Sequence, residues 1–407
     1  MRQAAPDLIV RGTPPYRRMS FALLMAGFST FALMYDVQPL LPLFSAQFGV
    51  NAATSSLAVS LTTGIMALAF IPAAVLSDRI GRRPLMIFSL LASGALTVLS
   101  AVLPGWTELL SMRAAIGVAL AGLPSAAMAY VSEEVHPDSS GAAMGLYIAA
   151  SAFGGMVGRL GMAFMSQYTG WREAIGLMGV LGLGTGVGFA AFAPRSHAFS
   201  PNHHDLRSLA RAMRGLFADP VLPLLYAEGF LLMGVFVTLY NYVSFRLEAP
   251  PYRLSQAAAG LVFLVYLLGS FTSAWIGGLA GRLGPGRVFW MPVAVLAAGL
   301  VLTAVRPLVV VVSGIALVTG AFFAAHSTAS GWVGGRTTRN RAQAAALYLF
   351  FYYLGSSLLG SAGGLAWNHA AWLGVVGFTL ALTVTALIIG LRLRNIGTPR
   401  ARPPTRY

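Results

Sequence analysis

Five strongly polar side chains lie deep within apolar runs of this 407-residue chain: Asp36, Arg113, Arg159, Glu228 and His326. An ionisable group among so many apolar ones is expensive in hydrocarbon, and in membrane proteins it usually marks a pathway. A carboxyl group away from water holds a proton, while a guanidinium beside it favours the charged form. Moving the guanidinium, or admitting water, then releases the proton. Asp36 with Arg113, and Glu228 with His326, have the chemistry for such a relay. The plainer alternative is that both pairs are permanent polar contacts that fix helix packing, with His326 simply bonded to a neighbouring helix. Arg159 either binds an anionic cargo or serves as a second partner for Asp36.

The elements that must hold these groups follow from composition. Hydrophobic residues make up 57% of the chain and charged ones only 10%, a balance that no water-soluble fold can hide. Twelve apolar runs are long enough to cross a bilayer as helix. They cover approximately 19–45, 54–76, 84–103, 107–131, 141–166 and 174–194, then 221–245, 256–280, 287–305, 308–331, 342–366 and 371–392. The expected fold class is therefore all-α, a polytopic membrane protein. At a rise of about 1.5 Å per residue, Asp36 lies roughly 25 Å into the first span and Arg113 roughly 10 Å into the fourth from the other side. Arg159 falls in the same half of the bilayer. Glu228 and His326 share a depth in the opposite half, on the seventh and tenth spans.

All 27 basic residues are arginine, and the net charge is +15. The arginines sit in short loops, so they read as topology determinants and not as a nucleic-acid surface. With the N-terminus inside, the cytoplasmic segments hold 21 of them and the external loops 4. Both termini are then cytoplasmic. The opening segment is polar and basic for too long to be a secretory signal. There is no cysteine, which excludes disulfides and thiolate metal sites. His203 and His204 have no further ligands near them, so no metal and no cofactor is expected. The polar stretch 195–220 reads as a linker, partly helical around 205–217, whose basic amphipathic helix lies on the inner leaflet. The basic segment 393–407 reads as a tail.

The chain also repeats. "AVLSDRIGRRPLM" (74–86) and "GGLAGRLGPGRVF" (277–289) align at an offset of 203, with Leu76/Leu279, Arg79/Arg282 and Gly81/Gly284 identical. Gly117 matches Gly320 at the same offset, and Gly154 matches Gly355 at 201. The expected divisions are a segment 1–18, a six-helix half 19–194, the linker, and a six-helix half 221–392. Duplicated halves around a midplane site are an architecture of secondary transporters.

Over nearly its whole length the chain resembles the major facilitator superfamily. "LSDRIGRRPL" looks like the superfamily's signature between the second and third spans, with Ala74 where a Gly is usual. "RAAIG" (113–117) looks like the fourth-span signature of proton-coupled members, with Ile116 in place of a polar residue. "FGGMVGRLG" (153–161) sits where drug antiporters carry a Gly-Pro-x-x-Gly-Gly motif, but Gly155 replaces the Pro and Arg159 the last Gly. "YDVQPLLPLF", "EGFLLMGVFVTLYNYVSFRLEAPPYRLS", "AAHSTASGWVGGR" and "ALYLFFYYLGSSLLG" resemble the YnfM-type inner-membrane transport proteins, near the drug:proton antiporter-1 group.

The resemblance implies twelve helices in two pseudo-symmetric halves and alternating access. It also implies a cytoplasmic gate: Asp78, Arg79, Gly81, Arg82 and Arg83, with Glu133 or Glu134 as acidic partner for Arg79 or Arg82. Topology alone would also explain these arginines. A central cavity is expected between spans one, four, seven and ten. Its candidates are Tyr35, Gln38, Arg159, Tyr240, Asn241, Tyr242, His326, Ser327, Trp332, Tyr352 and Tyr353, although Tyr240 and Asn241 lie near enough to the outer end to line a vestibule.

The reading is a monomeric inner-membrane transporter that exports a small organic compound, drug-like or metabolite, in exchange for protons. Alternatives are a proton symporter or uniporter importing a metabolite, and, more remotely, a membrane sensor that transports nothing. No nucleophile–base pair, metal-ligand spacing or phosphate loop stands out, so an enzyme is not expected.

Overall fold

A helix satisfies its backbone hydrogen bonds within one segment, which is the condition for crossing hydrocarbon. The computed structural model describes residues 8–196, 199, 206–337 and 340–396, and among them the backbone is overwhelmingly helical. His203, His204 and most of the tail lie outside the described residues. Among the described residues, eleven helices are long and apolar enough to span a membrane. They are Pro14–Phe48, Leu57–Ile80, Arg82–Val102, Trp106–Glu134, Pro137–Thr169, Trp171–Phe192, Leu222–Glu248, Gln256–Leu283, Pro285–Thr303, Leu308–Arg336 and Arg341–Asn395. The last reverses at Ala370 and Ala371, where φ/ψ leave the helical region (−142°/29° and 46°/−134°), so it supplies two crossings. The chain is a twelve-span, all-α membrane protein. Large side chains such as Phe88, Phe271, Trp275 and Leu373 are exposed around its girdle, a surface suited to lipid. The expected linker helix is present at Leu206–Leu216.

Local signals set the ends of these helices. Thr13 accepts from Tyr16 N (3.4 Å) ahead of Pro14 and Pro15, and Asp219 accepts from the amides of Val221 and Leu222. The repeat-related residues Gly81 and Gly284 turn the chain between spans at φ +100° and +88°, values that favour glycine. Ahead of the first span, Ile9 bonds Glu134 O (2.8 Å) and accepts from His136 N (3.0 Å), which docks the segment against the end of the fourth span.

The duplication reappears in packing. A Cβ on Gly154 would meet Phe28 O at 2.1 Å, and one on Gly355 would meet Phe230 O at 2.0 Å. The fifth and eleventh spans therefore lie backbone to backbone on the first and seventh. Between the halves, the fit differs along the bundle. Toward the end remote from the chain termini, a Cβ on Gly64 would meet Ser357 Oγ at 2.4 Å, one on Gly260 would meet Ala163 Cβ at 2.4 Å, and one on Gly364 would meet Ala53 Cα at 2.3 Å. Toward the end carrying the termini, Gly141, Gly145, Gly277, Gly278 and Gly281 would meet nothing within 4 Å. The halves are closed against each other at the far face.

Candidate functional site

The first span cannot run straight through its own middle. Pro39 and Pro42 have no N–H to donate and disturb the turn before them. The helix Pro14–Tyr35 stops, a 3-10 turn covers Gln38–Leu40, and Leu41–Phe48 resumes. Asp36 sits on that break, fully buried, with Oδ1 accepting from Val37 N and from Arg113 Nη1, both at 2.8 Å. Arg113 reaches in from the fourth span. Its Nη1 also donates to Leu33 O (3.1 Å), Nη2 to Met34 O (2.6 Å) and Nε to Ala58 O (2.9 Å). One guanidinium thus binds the carboxylate, two carbonyls of the turn before the break and a carbonyl of the second span. Asp36 Oδ2 has no partner.

Arg159 shares this depth, as expected, but it does not bond Asp36. It projects from the glycine-lined face of the fifth span and is 3% exposed. Its Nε donates to Gln38 Oε1 (2.5 Å) and its Nη1 to Gly155 O (2.6 Å). The guanidinium carbon lies 4.2 Å from the ring centre of Tyr35, 5.0 Å from Tyr266 and 5.8 Å from Phe263. Gln38 in turn donates to Asn241 Oδ1 (2.7 Å). Gln38 and Asn241 stand at the same 203-residue offset as the repeat, so equivalent positions of the two halves meet here. Asn241 and Tyr240 are fully buried and line no vestibule: Tyr240 is bonded to Thr319 (2.6 Å) and packs on Phe263 and Tyr266.

In the second half, Glu228 is fully buried with neither carboxyl oxygen partnered. His326 is not bonded to it. The imidazole meets Tyr348 Oη at 2.9 Å and packs against Phe322 and Tyr352. Equal depth left the angular position of the two helices open, and the histidine turns toward the eleventh span. Tyr353 stacks across the halves on Phe70 (5.8 Å). Ser327 bonds Ala324 O of its own helix, and Trp332 is buried against Gly286.

The aromatic set Phe236, Phe263, Tyr266, Phe322 and Tyr348 was absent from the candidates. Its signal was legible in part, since Phe263 and Tyr266 are spaced three apart on an otherwise aliphatic turn of the eighth span.

At the end carrying the termini, Arg82 pairs with Asp78 and, through Nη2, with Glu133 Oε1 (2.8 Å). Arg83 caps the sixth span by donating to Ala190 O (2.7 Å) and Ala193 O (3.0 Å). Arg79 is exposed, and Glu134 is buried beneath Ile9. Of the offered pairings, Arg82 with Glu133 is formed. The network ties spans two, three and four together. On the opposite half, Arg336 pairs with Asp219 (3.0 Å).

Residues 19–358 match the family model of the Major Facilitator Superfamily. The chain is 42% identical to the MFS-type transporter YybF of Bacillus subtilis (strain 168) over 395 residues, 97% of this chain and 98% of that one. It is 42% identical to the inner membrane transport protein YnfM of Escherichia coli (strain K12) over 389 residues, 96% of this chain and 93% of that one. Its fold matches the crystal structure of a bacterial homolog of the human lysosomal transporter Spinster, inward-facing and unoccupied, with TM-score 0.76 at 15% identity, covering 95% and 97% of the two chains. The chain belongs to the major facilitator superfamily and is a membrane transporter, not an enzyme.

Proposed function

We propose that the protein is a monomeric secondary transporter of the cytoplasmic membrane that exports a small organic compound in exchange for protons. The observation that carries this reading is that each half buries a carboxyl oxygen without a partner: Asp36 Oδ2 in the first, both oxygens of Glu228 in the second. A lone carboxylate is expensive at such a depth, whereas a carboxyl holding a proton is not. When water reaches either group, the proton can leave. Glu228 has the simpler part, since it changes only protonation. Asp36 must also loosen from Arg113. The 21-to-4 arginine bias supports cytoplasmic termini, and with that orientation the closed far face is external and the conformation is inward-facing.

The test is uptake of a radiolabelled panel of small organic solutes into proteoliposomes with an imposed pH gradient. An acidic interior should drive accumulation of the cargo, and Glu228→Gln should abolish that drive while preserving exchange of labelled for unlabelled solute. Asp36→Asn should weaken it. Accumulation driven instead by an alkaline interior would make the protein a symporter. Uptake indifferent to the gradient, or gradient-driven uptake by Glu228→Gln equal to the unaltered protein, would remove proton coupling from this site.

A further inference from the structure

The outer half of the bundle holds one acid and two bases within reach of each other. Asp36 directs its charge to Arg113, which leaves Arg159 as a buried cation whose hydrogen-bond partners are all neutral. A guanidinium in that state is costly to keep, and stacking on tyrosine offsets only part of the cost. With Asp36 bonded to Arg113, the cluster holds one cation more than it has anions.

The unused hydrogen-bonding capacity around Arg159 suits an anion. Nε and one arm of the fork are engaged by Gln38 and Gly155, and the faces are covered by Tyr35, Tyr266 and Phe263. The other terminal nitrogen, Nη2, donates to no protein group among the described residues. Close by are further polar atoms with spare capacity: Tyr266 Oη is buried without a partner, and Tyr35 Oη and Ser356 Oγ face each other and bond no other described group. Tyr35, Tyr266 and Ser356 are 1%, 6% and 0% exposed. They come from spans one, eight and eleven and converge with Arg159 of span five, so both halves contribute. Hydroxyl donors and a planar guanidinium edge suit a carboxylate. The walls beyond them, Phe236, Tyr240 and Phe322, suit an apolar or aromatic body.

We propose that Arg159, Tyr35, Tyr266 and Ser356 form the recognition site for the charged group of the cargo, a small organic carboxylate with an apolar body. The assignment rests on the transporter reading above and names the substrate class of its central site. It excludes organic cations, which Arg159 would repel at close range in a low-dielectric setting. It also links cargo to conformation. Gln38 bonds Arg159 with its oxygen and Asn241 of the other half with its nitrogen, so a carboxylate that draws Arg159 away from Gln38 loosens a contact closing the far face.

The experiment is ligand-induced thermal stabilisation of the purified full-length protein in detergent. Acetate, hexanoate, benzoate and indole-3-acetate are each compared with the corresponding amide, and benzylammonium is included. At least one of the larger carboxylates should raise the unfolding temperature where its amide and the ammonium do not. Arg159→Gln should abolish the shift, and Arg159→Lys should retain it at an affinity about tenfold lower, as loss of one charge-assisted bond requires. Amides as effective as their acids, no carboxylate above acetate in effect, or an undiminished shift in Arg159→Gln would each overturn the proposal. The comparison of acids with amides needs no variant, so it stands even where a variant folds poorly. No proton gradient enters this assay: its failure would leave proton-coupled export intact, and failure of the gradient assay would leave carboxylate binding intact.

Discussion

Arg113 does two jobs at once, and they can be separated. It neutralises Asp36, and it supplies donors to the carbonyls of Leu33 and Met34 just where the first span breaks. Removing one member of a buried ion pair strands a charge and costs about 3–5 kcal/mol, whereas replacing both by neutral polar groups costs far less. Arg113→Gln alone should therefore lower the thermal unfolding midpoint strongly, and adding Asp36→Asn should recover much of the loss. A double variant as unstable as the two single losses combined would mean that the carbonyl bonds, not the charges, dominate. At this scale the sequence was readable where depth and chemistry both constrained the answer. Asp36 and Arg113 could be matched from their distances along two helices, although depth alone left Arg159 as a second candidate for Asp36. Glu228 and His326 were matched in depth by the same count, yet depth says nothing about rotation about the helix axis, and the imidazole faces Tyr348 instead. Gln38 with Asn241 was hidden for another reason: amides inside spans carry no charge to flag them, although their 203-residue offset was the repeat itself.

Among the helices, length and hydropathy placed the crossings well. The expected spans 54–76 and 84–103 correspond to Leu57–Ile80 and Arg82–Val102, and the expected gap between 366 and 371 falls at the reversal of Ala370 and Ala371. The aromatic contribution of the eighth span was legible only in part: Phe263 and Tyr266 stand three apart, and the 3-10 stretch Leu261–Tyr266, with three residues per turn, brings them onto one face. That stretch follows Gly260, whose missing side chain lets the eighth span touch Ala163 of the fifth. A methyl there would meet only that alanine, at 2.4 Å, so it wedges the halves apart without disturbing its own half. Gly260→Ala should thus shift the protein toward opening at the far face, while Gly278→Ala, which meets nothing, should not. Because the chain has no native cysteine, a Ser361→Cys reporter can be read without background. Its labelling by a water-soluble maleimide should quicken in Gly260→Ala and stay unchanged in Gly278→Ala. Equal labelling of both would place the closing contacts elsewhere.

For the molecule as a whole, the question is whether the two halves move as rigid bodies about the central cluster. The buried pair Asp36 with Arg113 lies within the first half, Arg82 joins Asp78 and Glu133 there, and Arg336 ties the second half to Asp219 of the linker. The contacts between halves at the far face are of another kind: glycine approaches, the Gln38–Asn241 amide bond, and bonds from Ser357 and Ser361 to Ser60. Neutral hydrogen bonds and small-residue contacts are individually modest. They can be broken and remade in each cycle at modest cost, without parting a buried ion pair across the joint. This division makes the far face the moving joint. Ser60 Oγ and Ser361 Oγ lie 2.7 Å apart across it, close enough for a cysteine pair to reach disulfide geometry with small adjustment. Ser60→Cys with Ser361→Cys should oxidise readily in the closed state, halt transport of whichever solute the proteoliposome panel identifies, and recover on reduction. Binding of that solute should survive oxidation, since the opposite face of the bundle stays open to it. Transport at an undiminished rate by the oxidised protein would mean that the halves do not part here, and the closed far face would then be a fixed floor instead of a gate.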